Sequence, residues 1–150
     1  AEVLLQFPEQ MVLSSKLVRP VPMSEQETIF DVVPVLEENL AASWANRSIF
    51  IETLASIGAV VEYDAIDCSF VSLLVRGRAG TRFCLCTVDV RLQHTFPATK
   101  PLVTVYSLSD GHAKMIEDNE LPYNPHWDPV KAAKMIYCAA CDTIVQSLDS

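Results

Sequence analysis

Several of the commoner sequence signposts are missing from this chain. Glycine occurs only 4 times in 150 residues, and no glycine-rich loop of the phosphate-cradling kind is present, which argues against the nucleotide-binding motifs. No uninterrupted apolar run approaches the roughly 18 residues of a membrane-spanning helix. Basic residues are outnumbered, 11 Lys and Arg against 19 Asp and Glu, for a formal net charge of −8. They are also scattered. Nucleic-acid binding relies on clustered cations that displace counterions from phosphates, and anionic membrane surfaces select the same feature, so neither partner is expected. The N-terminus has neither an initiator Met nor a basic-then-apolar signal pattern, and the chain reads as a piece of a longer protein. Repeats and low-complexity stretches are absent. The 5 cysteines are an odd number, Cys68, Cys84, Cys86, Cys138 and Cys141. A secreted disulfide framework favours even counts in smaller chains, so free thiols in a reducing compartment are expected.

What is there suffices for one core. Half of the residues are hydrophobic, and a chain of this size buries roughly 68–70% of its unfolded surface. Residues 1–23 carry three prolines (Pro8, Pro20, Pro22) and little periodicity, and read as a linker or the end of a preceding domain. The domain is assigned to residues 24–150. Ser24 and Glu27 form a capping-box pattern, followed by Ile29, Val33, Leu36 and Leu40 at helical spacing. Pro34 predicts a late start or a kink. A second helix is expected over Arg47 to Ile57, where Ile49, Phe50, Leu54 and Ile57 share a face, with Gly58 as its stop.

Beyond Gly58 the period changes to two. Ala59–Asp64, Phe70–Arg76, Arg82–Leu92 and Leu102–Leu108 read as four strands, with a turn over Gly77 to Gly80. The third is the clearest, alternating Cys84, Cys86, Val88, Val90 and Leu92 with Thr87, Asp89 and Arg91. Short connections predict an antiparallel meander with one covered face. Asp110 to Asp128 reads as a long irregular loop, a frequent seat of function. Asp128-Pro129 then opens a helix, Asp as cap and Pro in the first turn, with Ala133, Ile136, Tyr137, Ala140, Ile144 and Leu148 as its buried stripe.

Two motifs flank these elements. Phe96-Pro97-Ala98-Thr99-Lys100-Pro101, between the third and fourth strands, resembles the aromatic-Pro-x-x-x-Pro turn of ubiquitin-conjugating enzymes. Trp127-Asp128-Pro129 is similar to the Trp-Ser-Pro that opens the helix after their active site. The resemblance implies an α+β, ubiquitin-conjugating-like (UEV/RWD-type) fold, a four-stranded antiparallel meander with flanking N- and C-terminal helices. Val60-Val61-Glu62-Tyr63-Asp64-Ala65, Leu121 to Asp128 and Phe30-Asp31-Val32-Val33-Pro34 further resemble the C-terminal domain of the BRE family of adapters. The likeness covers about residues 28–150. It implies a non-catalytic scaffold of BRISC-type deubiquitinase complexes and of the related DNA-damage complex, cytoplasmic and nuclear. The partners it implies are the other complex subunits, above all the tail of a MERIT-family von Willebrand A-type subunit, with ubiquitin as a further candidate.

A conjugating enzyme carries ubiquitin on a cysteine thiolate, which the family places between the fourth strand and the Trp-x-Pro helix. Leu102 to Trp127 holds no cysteine and no His-Pro-Asn triplet; His112 is followed by Ala113 and Lys114. No catalysis is expected. Cys84 and Cys86 read as small hydrophobes on an apolar strand face. Cys138 and Cys141 form a C-x-x-C inside a helix, without a second ligand pair, and His94, His112 and His126 complete no set, so neither metal nor cofactor is expected.

Tyr123, Pro125 and Trp127 remain as candidate partner-binding residues. Trp127 packs beneath the last helix while the prolines stiffen the loop, or this aromatic segment borders the vestigial active-site groove and takes a partner peptide; Trp and Tyr are frequent interface anchors. Glu117, Asp118 and Glu120 are solvated acids or a landing for a basic partner. Three further readings stay open: a ubiquitin-binding domain, an enzyme using Cys138 or Cys141, and an architectural module packing on its neighbouring domain.

Overall fold

Hydrophobic side chains at alternate positions of successive strands turn one side of a sheet apolar, and two helices with apolar stripes cover it. In the computed structural model, which describes residues 29–117 and 119–149, the order is α1 (Ile29–Ile57), β1 (Ala59–Tyr63), β2 (Phe70–Ala79), β3 (Arg82–Arg91), β4 (Leu102–Ser107), β5 (Ala113–Met115) and α2 (Pro129–Asp149). The strands form one open sheet in the order β1-β2-β3-β4-β5, every neighbouring pair antiparallel. The fold is α+β. Residues 1–23, the Ser24–Glu27 capping box and Asp118 lie outside the described residues.

Register and burial place the core. Leu73 pairs with Val88 and Val88 with Val105, so pleating puts these on one face with Val71, Val75, Cys86, Val90 and Val103, all buried. Phe50, Ile51 and Leu54 of α1 and Ala133, Ile136, Ala140 and Ile144 of α2 join the same cluster. Each large side chain fully withdrawn from water contributes about 1.5–3 kcal/mol. The α2 stripe follows the predicted spacing, and Asp128 caps it, its Oδ1 accepting from the Lys131 N–H at 3.0 Å.

Four expectations need correction. The two predicted N-terminal helices are one, running through Pro34 to Ile57. Proline removes a single hydrogen bond, to the carbonyl of Phe30, and Pro34 sits on the exposed side while Val32 and Leu36 are buried. The four-stranded meander has a fifth strand: Ala113–Met115 pairs with β4 through Met115–Thr104, Lys114–Val105 and Ala113–Tyr106. Part of the predicted loop is therefore sheet, because the β4 edge offers its N–H and C=O groups to any extended segment folding back. Gly77 belongs to β2 and not to the turn; the hairpin turns at Gly80-Thr81, between the paired Ala79 and Arg82. Gly80 takes φ of 59°, as a glycine-first two-residue turn requires. Finally, Cys84 is half-buried where full burial was expected; its strand partner Gly77 has no side chain to cover it.

Candidate functional site

The β3–β4 connection is tied down residue by residue. Arg47, 1% exposed on the inner side of α1, donates from a terminal guanidinium nitrogen to the carbonyl of Gln93 at 2.6 Å. Phe96 N–H then bonds the same carbonyl at 3.0 Å and Ala98 N–H bonds Thr95 O at 2.8 Å. The hydroxyls of Thr95 and Thr99 hydrogen-bond across the turn, and the Phe96–Pro97 peptide is cis. Phe96 drops into the core, its ring edge-on to Phe50 with centroids 5.0 Å apart. That arrangement leaves Pro97 and Ala98 facing outward.

Asn39, Ala42, Ser43 and Asn46, spaced three and four apart, share one face of α1. Between that face, the Phe96-Pro97-Ala98 turn and Pro125-His126 lies a groove of about 370 Å3. Its lining holds amides, a hydroxyl, prolines, the Phe96 ring and small side chains, with His126 as the one titratable group among the described residues. Such walls suit an extended peptide: flat proline faces for apolar side chains and carboxamides for its backbone.

The three sequence-predicted residues take different stations. Tyr123 lies behind the groove and donates its hydroxyl to the carbonyl of Pro97, linking the segment before α2 to the turn after β3. Burial pushes its phenol up to about 12, so it is a neutral donor at neutral pH. Pro125 lines the groove. It is turned outward by Asn124, whose side-chain oxygen accepts from His126 N–H at 2.9 Å, an Asx turn. Trp127 is absent from the lining; it packs half-buried against the core, with Lys131 Nζ 4.9 Å from its ring centre, a cation–π distance. Of the three, Pro125 alone lines the groove; Tyr123 reaches it only through its bond to Pro97, and Trp127 packs against the core. Sequence reading missed His126 and the α1 stripe. The signal for the stripe is small and polar residues at positions 39, 42, 43 and 46, on the same helix face as the buried Phe50 and Leu54 one and two turns further on.

Under the turn sits a charged cluster. Asp67, 1% exposed, accepts from Ser69 N–H at 3.0 Å, and Ser69 donates its hydroxyl to Asp64 at 3.2 Å. Burial, and then the hydrogen bond to Asp64, hold Asp67 above the usual carboxylate range. The same bond, as the largest cause, holds Asp64 below it. Burial lowers the Arg47 guanidinium, partly opposed by Asp67. This cluster anchors α1 to the β1–β2 connection and the Gln93 turn.

Among the described residues no group of three or more His, Cys, Asp and Glu is placed to hold a metal, and no helix is long and apolar enough to cross a membrane. All five cysteines are free. Burial raises the thiols of Cys68, Cys86 and Cys141, away from the thiolate a nucleophile needs. Lys114 Nζ lies 3.7 Å from a carboxylate oxygen of Glu120, both side chains largely exposed. An exposed pair of this kind adds little to stability. No family model matches the chain, and no curated protein matches it.

Proposed function

We propose that this chain is a non-catalytic adapter domain of the ubiquitin-conjugating-variant type, similar to the C-terminal domain of BRE, which docks a peptide tail in the groove between α1 and the two proline turns. The observation that carries this reading is the groove itself, walled by Pro97 and Pro125. Its outer wall comes from the Phe96–Pro101 turn and from Pro125-His126 of the Leu121–Asp128 segment, both of which carry the family resemblance. The interval from Leu102 to Trp127 has no cysteine with which to form a thioester. The tail of a MERIT-family von Willebrand A-type subunit is the occupant the resemblance implies. The domain acts by position, holding that subunit beside a deubiquitinase carried elsewhere in a cytoplasmic or nuclear assembly.

The test is calorimetric titration of the full chain with that tail peptide, beside monomeric and lysine-sixty-three-linked ubiquitin. Ala42→Arg and Ala98→Arg fill the groove from exposed positions, so folding survives. The expected result is saturable heat with the tail, lost in both variants. Heat that persists in both variants rejects the groove, and silence with the tail rejects the adapter reading. A second reading, direct ubiquitin binding, draws on Leu85, Tyr106 and Met115, which are 43%, 39% and 57% exposed. Pleating and register put all three on the sheet face away from the helices. Heat with ubiquitin, abolished by Leu85→Asp, would select that reading instead.

A further inference from the structure

At the far end of β3 from the groove, two thiols share the wall of a second cavity. Cys84 and Cys86 are two residues apart in one strand and project to the same face. Their sulfurs are turned toward each other, Cys86 Sγ donating to Cys84 Sγ at 3.7 Å. The cavity measures about 180 Å3, with Val105 and Leu148 as apolar walls and Asp110 and His112 also lining it. Cys86 is 3% exposed, whereas Cys84 is half-buried, so approach is from the Cys84 side. The space beside Cys84 exists because its strand partner is Gly77; a Cβ there would lie 2.8 Å from Cys84 Sγ.

The geometry separates the chemistries open to such a pair. A disulfide needs the sulfurs to close to about 2.05 Å with Cα atoms at most about 6.8 Å apart. Residues i and i+2 of an extended strand are already about 6.6–6.8 Å apart, at the limit of that span. A linear S–metal–S unit with bonds no longer than the about 2.3 Å of zinc–thiolate spans at most about 4.6 Å, close to the observed sulfur separation of 3.7 Å. Tetrahedral zinc wants four ligands, and among the described residues no third His, Cys, Asp or Glu is placed to join these two. Soft thiolates without further donors select a soft, low-coordinate ion.

We propose that Cys84 and Cys86 form a two-coordinate thiolate site for Cu(I). Binding releases one proton from each thiol and forms two sulfur–copper bonds, with no change of oxidation state. Because both thiols must lose their protons to bind, affinity rises with pH.

The test uses the full chain carrying Cys138→Ser and Cys141→Ser, which removes the helical thiol pair. Under anaerobic conditions Cu(I) is supplied as its acetonitrile complex and competed with bicinchoninate. One equivalent is expected to be retained per chain, with X-ray absorption showing two sulfur neighbours and no nitrogen. Cys84→Ala and Cys86→Ala, each keeping a small apolar side chain, should each lower affinity at least a hundredfold. Far-ultraviolet circular dichroism checks that both variants are folded. Bound Cu(I) should also slow alkylation of Cys84 by iodoacetamide in the folded protein. Retention of the equivalent in either alanine variant, three or more sulfur neighbours, or unchanged alkylation would overturn the assignment.

Discussion

Tyr123 joins two segments 26 residues apart, and its hydroxyl is the group through which the groove wall is held to the sequence before α2. Removing only that oxygen, as Tyr123→Phe, costs about 1 kcal/mol, read as a lower midpoint in urea at neutral pH. The pH dependence supplies a second readout. The folded phenol titrates at about 12, above the value near 10 of an unfolded tyrosine. Between these values the unfolded chain has released a proton that the folded one still holds. The Tyr123 contribution to folded stability is therefore unaffected below about pH 10 and falls as pH rises from there toward 12. Tyr123→Phe should remove its share of that alkaline loss, leaving the parts due to Tyr137 and to Cys68, Cys86 and Cys141, which burial also raises. An unchanged alkaline slope in the variant would show that the Tyr123 phenol is not held neutral by its surroundings.

At the scale of the elements, β2 meets α2 through a position without a side chain. A Cβ at Gly77 would fall 2.4 Å from Ile144 Cγ2 and 2.8 Å from Cys84 Sγ. The first belongs to a residue only 1% exposed in the core, with little room to yield. Gly77→Ala should therefore destabilise by about 1–3 kcal/mol through overpacking, despite the better strand propensity of alanine. Chemical denaturation checks the direction; a gain in stability would mean that α2 shifts freely over the sheet. This glycine also shows where the sequence was legible and where it was not. The alternation of Cys86, Val88 and Val90 and the stripe of Ile136, Ala140 and Ile144 are local patterns, and they locate β3 and α2 unaided. Gly77, three residues before Gly80, reads as a turn because its reason for being glycine is Ile144, far along the chain. The strand Ala113-Lys114-Met115 is invisible for a like cause: three exposed residues carry no period, and only the edge of β4 makes them a strand. The proline turns of the groove were legible as Pro97 and Pro125. The face of α1 opposite them was not, because Asn39, Ala42, Ser43 and Asn46 look like any solvated stripe until the turn is folded against it.

For the molecule as a whole, among the described residues, one side of the sheet is covered by helices and the other is not. Guanidinium groups lie over two rings of that open side, Arg76 at 4.6 Å and Arg78 at 5.3 Å from Phe83 and Arg91 at 4.6 Å from Phe70, although Phe83 remains exposed. Leu85, Tyr106 and Met115 have no comparable cation–π cover among the contacts of the described residues, and a face of this kind is a route to self-association. Both sheet edges resist it. The β1–β2 register shifts between Val60 and Glu62, and β5 is three residues long with Lys114 at its centre. Bulges, short strands and edge lysines all discourage pairing. The net charge of −8 at pH 7 adds long-range repulsion between copies. That repulsion vanishes near the pI of about 4.7, where the open face is left to act alone. The protein should therefore be monomeric by light scattering at pH 7, and should associate as pH approaches the pI while circular dichroism still reports the fold. Association should reverse on return to pH 7 and weaken in Leu85→Asp, which places a carboxylate in the uncovered patch. A stable dimer already at pH 7, insensitive to that substitution, would mean that edges or helices carry self-contact and that the open sheet face is inert.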